Sequence, residues 1–371
     1  MAEGIYTQFA TKFSSLEELE AYKKKAQEER KNSLQAGIVP AIAPAELTER
    51  NKDFSTIRQG TSTNALTKLR ATEGKGLKID SITGDATIKN GNFTLTIPNY
   101  TQLVGLKTTT YQLLDAITVA FTESGAKTPT VVLPLEEYMK RRGLKDRKEA
   151  KSQVRADMEI LRRASFSWEE KRGKNTESYS FVNFADSGEI RRNGDIIFTF
   201  GSTFYNTLLG YPVMPYPAQL WKLNGNKNPN SYYLLRRIAE HKNMNVGKKN
   251  EDLISVKTLL AVAPFIPSID EVMSGNRNIA DRIINPFERD MDALADTLTW
   301  EYCHSSNAPL TDTELQNMSY EVFEGLLIHT VWNNYPDQTA RLERKQERIE
   351  EAKAKKKRTS SRKKKTPDTE A

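Results

Sequence analysis

The chain has 371 residues, enough for two domains of ordinary size plus tails, each able to bury its own core. Its formal charge of +7 sits at one end: Gln338 to Ala371 carries thirteen Lys or Arg against six acids, so the rest balances at 42 against 42 and only local clusters inform on partners. The lone cysteine, Cys303, excludes an internal disulfide framework and a cysteine-built zinc site; no apolar run nears the roughly 18 to 20 residues of a membrane span and the N-terminus lacks a signal-peptide core, so a soluble cytoplasmic protein is expected.

Residues 1 to 84 carry no sustained apolar pattern. A helix is expected near Leu16 to Arg30, behind Ser14 or Ser15 with Glu17 and Glu18, followed by an Ala/Pro linker at Gly37 to Ala45 and a polar Ser/Thr/Gly segment. This region reads as a largely flexible extension. At Ala86 the character changes: Ala-Thr-Ile-Lys, Asn90-Gly91, then Phe93-Thr-Leu-Thr-Ile is a hairpin signal that opens a first domain over 85–214. A helix follows over Thr109 to Phe121.

Val131 to Leu133 is a short strand and Leu135 to Arg142 a helix with Leu135, Tyr138 and Met139 inward, ended by Gly143 in a left-handed conformation. Asp146 caps a long basic helix, Arg147 to Ala164, with Glu149 in capping-box position. Ala150, Val154, Met158 and Leu161 recur at spacings of three and four and face a core, while Lys148, Lys151, Arg155 and Arg162, with Ser152, lie on another face. Two aromatic strands, bearing Phe166 and Trp168, then Tyr179 and Phe181, flank Lys171-Arg172-Gly173-Lys174-Asn175. From Lys140 to Arg172 there are twelve basic residues against six acidic. A solvated face is the default for an isolated basic helix. A basic helix followed by a basic wing is instead the winged-helix arrangement that spans a groove of duplex DNA and its adjacent backbone.

A second strand pair runs through Gly188 to Phe200 with Asn193-Gly194 as its turn, and the Pro- and Tyr-rich stretch Gly210 to Pro217 reads as an interdomain connection. A second domain, 215–336, opens with the helix at Ser231 to His241, with Leu234, Leu235 and Ile238 on its buried side and Arg236 and Arg237 elsewhere. Val256 to Val262 suggests a helix, and Ser268 with Glu271 a capping box for a short one ending at Gly275. A long helix is expected over Asn278 to Thr297, with Ile279, Ile283 or Ile284, Phe287, Met291 and Leu294 inward, Asn276, Arg277, Asn278, Arg282 and Arg289 available, and a kink or break at Pro286. Strand residues Leu298, Trp300 and Tyr302 and an apolar segment reaching Trp332 complete a repeat of the first domain's element order. Residues 337–371 form a charged tail whose Lys355-Lys-Lys-Arg and Arg362-Lys-Lys-Lys runs suit a disordered, sequence-independent tether to nucleic acid. The expected fold class is α+β: two tandem winged-helix domains with a flexible N-terminal extension and a basic C-terminal tail.

Gly194-Asp-Ile-Ile-Phe-Thr-Phe, Phe204-Tyr-Asn-Thr-Leu-Leu, Asn230-Ser-Tyr-Tyr-Leu-Leu-Arg-Arg-Ile and the ensuing helix–turn–helix resemble the plasmid replication initiators built from two related winged-helix domains, over roughly Ala86 to Trp332. The resemblance implies binding to repeated origin sequences, recruitment of host helicase and initiator proteins, and repression of the protein's own promoter as a homodimer. The long N-terminal extension and the basic tail depart from that pattern.

The most relevant enzyme class is a nicking initiator or relaxase, which needs a tyrosine nucleophile beside a metal held by closely spaced histidines. Tyr232-Tyr233 offers the nucleophile, but His241, His304 and His329 are the chain's only histidines and no two are near in sequence. A Gly-x-x-x-x-Gly-Lys-Ser/Thr loop is absent, Glu136-Glu137 and Glu350-Glu351 suit solvated helix faces, and Cys303 has no supporting motif. The expectation is therefore a non-enzymatic, sequence-specific double-stranded DNA-binding protein without cofactor, metal or membrane partner. Lys148, Lys151, Ser152 and Arg155 meet one DNA segment, Lys171, Arg172 and Lys174 its flanking backbone, and Arg277, Asn278 and Arg282 a second segment. A winged-helix transcriptional repressor, and a nicking enzyme, are the alternatives.

Overall fold

The computed structural model describes residues 53–60, 77–90, 93–98, 107–172, 175–275, 278–304, 308–311, 314, 318–339, 342–343, 347 and 350. The helix expected near Leu16 to Arg30, the runs at Lys355 and Arg362, Lys174 and Arg277 lie outside the described residues.

The chain is a mixture of helix and sheet. Its first described strand, β1 (Phe54–Arg58), is largely buried and pairs antiparallel with a strand at Val213–Pro217. Like β2 (Leu77–Ile79), it falls within residues 1–84, the region expected to be a largely flexible extension. β3 (Ala86–Asn90) and β4 (Phe93–Ile97) form the predicted hairpin, closing at Asn90 opposite Phe93. Helix α1 (Thr108–Glu123) then runs through the centre, buried on most of its circumference. Its polar residues have internal acceptors, as burial requires: Thr118 and Thr122 donate to carbonyls one turn back at 2.8 and 2.7 Å, and Gln112 donates to Leu220 O at 2.9 Å.

After α1 come β5 (Thr130–Pro134), α2 (Leu135–Arg142) and α3 (Arg147–Arg163). Gly143 ends α2 at φ 67°, and the Asp146 carboxylate accepts the Glu149 backbone N–H at 2.8 Å, so the local stop and start signals act as written. β6 (Ser165–Arg172) and β7 (Asn175–Asn183) extend the first hairpin into a five-stranded sheet of order β2-β3-β4-β6-β7. The next hairpin, β8 (Ala185–Ile190) and β9 (Asp195–Phe200), joins β5 in a separate three-stranded sheet of order β5-β9-β8. The hairpin that closes the helix–turn–helix is thus β8–β9, with Asn193-Gly194 at its tip. The β6–β7 hairpin carrying Lys171 and Arg172 belongs to the other sheet.

α4 (Ser202–Leu209) leads to β10 (Val213–Pro217), every residue of which is buried. The segment expected to be an interdomain connection is therefore a strand. Its two prolines are tolerated because, among the described residues, β1 and β10 pair only with each other, leaving each strand one edge outside the ladder. α5 (Gln219–Lys222) and α6 (Ser231–Asn245) follow, then β11 (Leu253–Ser255), α7 (Val256–Leu260) and α8 (Ile269–Ser274), whose Ser268/Glu271 capping box is fully formed. The expected long helix runs without interruption from Ile279 to Asp292, as a π-helical turn, Ala280–Ile284, continuous with α9 (Asn285–Asp292). Pro286 has no N–H to give the carbonyl one turn back, and the wider turn before it absorbs the mismatch. β12 (Leu298–Cys303), α10 (Tyr320–Gly325) and β13 (Leu327–Trp332) complete a sheet of order β11-β13-β12. That is the order of β5-β9-β8 again, so the sequence-level repeat has a topological counterpart.

One contiguous cluster of buried side chains runs from Ile57 to Ile328 and crosses the boundary expected near residue 214. At its middle the Asp115 carboxylate of α1 accepts the Tyr216 hydroxyl at 2.8 Å, the Tyr232 hydroxyl at 2.6 Å and the Arg236 guanidinium. Burial pushes the Asp115 carboxyl up from the usual carboxylate range, and Arg236 and the two hydroxyls draw it back. Beside it, Gln59 next to β1 donates to Glu240 of α6 at 2.9 Å.

Candidate nucleic-acid interface

Helix α3 is held from inside and open outside. Val154 and Leu161 are buried in the core, and the half of the helix nearest α1 is pinned by Asp157, whose Oδ1 accepts Thr110 Oγ1 at 2.6 Å and Thr109 Oγ1 at 3.2 Å. Burial raises the Asp157 carboxyl above its usual range, with the threonine hydroxyls opposing. The helix carries six basic residues against three acidic, and its outward side forms an open groove with β8, of roughly 560 Å³. Lys148, Lys151, Ser152, Arg155, Glu159 and Arg162 line the helix side of it. Lys148, Ser152 and Arg155 are exposed, and no side-chain partner for them occurs among the described residues. Such unengaged cations beside a concave wall can take phosphate oxygens without first breaking an internal contact.

The tip of the β8–β9 hairpin closes one end of this face. Arg191, Arg192 and Asn193 are exposed there, and Gly194 adopts φ 100°, a conformation that favours glycine. Arg147 at the start of α3 fastens the tip to both helices, donating to Asn193 O at 2.8 Å and to Glu136 of α2 at 2.5 Å. Lys151 Nζ lies 3.4 Å from Arg191 O. These contacts tie the tip to α3, and it brings to the basic face Arg192 and Arg191, the latter 3.6 Å from the Glu189 carboxylate. Arg191 and Arg192 are not among the residues expected to touch DNA; the signal the sequence offers for them is the Arg-Arg-Asn-Gly order, a basic pair immediately before a hairpin turn.

Of the residues predicted to touch DNA, the structure brings together Lys148, Lys151, Ser152 and Arg155. Lys171 and Arg172 sit at the end of β6, beyond a β-bulge between Glu170 and Lys171, on the five-stranded sheet and not on the hairpin bound to α3. Arg162 is not free: its Nε donates to Glu159 Oε2 at 3.0 Å, and Arg163 contacts the same carboxylate at 3.1 Å. Those contacts hold the Glu159 carboxyl below the usual range.

The corresponding face of the second repeat differs. Ala280 to Asp292 carries two basic residues against four acidic, the reverse of α3. Asn278 caps the π turn, accepting the Asp281 N–H at 3.1 Å and donating to the Asp281 carboxylate, so both ends of its amide are engaged. Arg282 is half-buried, and Arg289 pairs with Asp290 at 2.9 Å. Asp290 is itself buried and accepts from Asn230 N and Nδ2 at 2.9 and 2.7 Å. Among the described residues, no helix is long and apolar enough to cross a membrane.

Comparison with known protein families finds no match, and none is found among curated proteins. Among solved structures, one of domains 2 and 3 of RctB aligns over 73% of this chain and 98% of its own, at 11% identity and a TM-score of 0.39. A second structure of RctB domains 2–3 covers 69% of this chain and 90% of its own at 10% identity and 0.34. The WH1 domain of MSBI1.176, a replication protein isolated from a multiple sclerosis patient, covers 28% of this chain and 81% of its own, at 14% identity and 0.23. At these values the functional reading has to come from the chain's own residues.

Proposed function

We propose that the chain is a sequence-specific double-stranded DNA-binding protein that works by binding alone, and that it serves as the replication initiator of a plasmid or similar mobile element. The observation that carries the DNA reading is the outer face of α3, where Lys148, Ser152 and Arg155 stand exposed, with no side-chain partner among the described residues, beside a hairpin tip bearing Arg191 and Arg192. In this reading residues 85–214 and 215–336 are two tandem winged-helix domains, and α3 enters a major groove while the tip lies on the flanking backbone. Lys171, Arg172 and Lys174 belong to a more distant contact, and Arg277 and Arg282 to a weaker second one. The initiator role rests on the resemblance of the motifs at Gly194, Phe204 and Asn230, and carries with it origin repeats, host replication proteins, a homodimer and a cytoplasmic setting. A nicking role is disfavoured by the environment of Tyr232, which is 1% exposed and bonded to Asp115.

Footprinting of purified protein on DNA flanking its own gene, across a salt series, is the test. Protection of several evenly spaced direct repeats is expected. One palindromic footprint over a promoter makes the protein a repressor, and only diffuse, salt-labile binding refutes sequence-specific recognition. A covalent protein–DNA adduct formed with divalent metal refutes the non-enzymatic reading.

A further inference from the structure

We propose that Glu159 is a built-in competitor for DNA phosphate that holds Arg162 and Arg163 in check and thereby restrains sequence-independent binding. This rests on the DNA-binding reading of α3. Glu159 is the one carboxylate among the described residues lining the groove, amid Lys148, Lys151, Arg155 and Arg162. Its Oε1 accepts from Arg162 Nη2 and from Arg163 Nε and Nη2 at 3.2 and 3.1 Å, while Oε2 accepts from Arg162 Nε at 3.0 Å. The Arg162 pair is bidentate, the geometry with which a guanidinium grips a phosphate, so the carboxylate occupies the donors that a backbone phosphate would use. Arg162 is 62% exposed and Glu159 40%, so the pair is solvent-screened and weak enough to be exchanged.

The consequence is a difference between two binding modes. On a correct site, base contacts by α3 hold the duplex in place, and the nearby phosphates can displace Glu159 from its arginines. On an arbitrary sequence the duplex is not held, and the two guanidinia stay on the carboxylate. Glu159 thus withholds its two arginines from phosphate mainly in the sequence-independent mode, which is otherwise driven by charge alone.

The test measures binding of the full chain, wild type and Glu159→Gln, to the duplex protected in the footprint and to a scrambled duplex of the same composition, across a salt series. Glu149→Gln, an equal charge change on the same helix at a position that does not line the groove, is the control. For Glu159→Gln on the scrambled duplex, the slope of log K against log salt is expected to steepen by about 1 to 2, roughly 0.9 for each additional phosphate neutralised. Affinity for that duplex rises several-fold, and the ratio of specific to non-specific binding falls. An unchanged slope in Glu159→Gln, or an equal change in Glu149→Gln, overturns the role of Glu159 while leaving DNA binding intact. Wild-type protein that binds neither duplex overturns the DNA reading and the role of Glu159 with it.

Discussion

Replacing Asp115 with alanine removes the acceptor on which α1, β10 and α6 converge. Side-chain exposure is 2% at Asp115 and 4% at Arg236, so the pair is out of water, and deleting one member of such a pair costs about 3–5 kcal/mol because the other charge is left uncompensated. Arg236 keeps a second carboxylate, Glu240, at 3.8 Å from Nε, which places the guanidinium's share near the lower end, about 3 kcal/mol. The Tyr216 and Tyr232 hydroxyls, 2.8 and 2.6 Å from the deleted oxygen, are left buried without that acceptor, at about 1 kcal/mol or more each. Groups sharing one acceptor do not add in full, so the expected loss is about 4 kcal/mol. Against a total stability of about 5–15 kcal/mol, that lowers the melting temperature by roughly 10 °C. Urea unfolding followed by tryptophan fluorescence is a suitable assay, because buried Trp221 lies with its ring centroid 5.0 Å from that of Tyr216. Pairing Asp115→Ala with Arg236→Met completes a cycle in which the double variant should lose distinctly less than the sum of the singles. A loss below about 1 kcal/mol for Asp115→Ala, or strict additivity in the cycle, refutes the view that this pair holds the two halves together.

On the DNA side, Lys148→Ala and Arg155→Ala should each make the salt slope shallower by about 0.9, as should single alanine changes at Arg191 or Arg192, whereas Arg282→Ala should leave it nearly unchanged; a shallower slope in Arg282→Ala refutes the asymmetry between the two repeats. Burial raises the Tyr138 hydroxyl to about 12, whereas the unfolded chain ionises near 10. Stability from this group is therefore complete below pH 10 and is lost as pH rises towards 12, by up to about 2.7 kcal/mol. Urea midpoints between pH 9 and pH 11 should fall less steeply in Tyr138→Phe, and parallel curves refute the assignment. A Cβ at Gly201 would lie 2.3 Å from the backbone oxygen of Asn183, which no rotamer can relieve, so Gly201→Ala should cost about 1–3 kcal/mol, seen as a lower urea midpoint at constant slope.

What the sequence announces about this fold is what neighbouring residues decide among themselves. A hairpin closes at Asn90 opposite Phe93, Gly143 ends α2, Asp146 caps α3 and Ser268 with Glu271 caps α8, each through contacts within a few residues. What it conceals depends on distant partners. β1 and β10 are short, and β10 contains two prolines; only the pairing of Ile57 with Met214 makes strands of them. The sequence places a basic turn in each of the two hairpins after α3, so that signal alone does not tell which one flanks the helix. The pairing of Val131 with Phe198 decides it, and moves the basic tip from Lys171 to Arg191. Asp115 is the one charged residue within the helix expected at Thr109 to Phe121, and that isolation was the available sign of a buried ion pair.

The two repeats share a sheet order, and they spend their polar residues differently. In the second, Asp290 holds the start of α6 through Asn230 and Ser231, Arg289 answers Asp290, and Asn278 closes the π turn on Asp281. Turning those side chains towards phosphate would break contacts that the fold itself uses, and the four acids of Ala280 to Asp292 would repel the backbone they met. In the first repeat Asp157 and the two threonines pin the inner side of α3, and Lys148, Ser152 and Arg155 have no side-chain partner among the described residues. A surface whose charges are unengaged at rest gains the full attraction of a nucleic acid, and a surface whose charges are already paired gains only the difference. On the proposed reading the first repeat therefore supplies the affinity, while the second, locked to it through Asp115 and Arg236, fixes the angle at which α3 is presented.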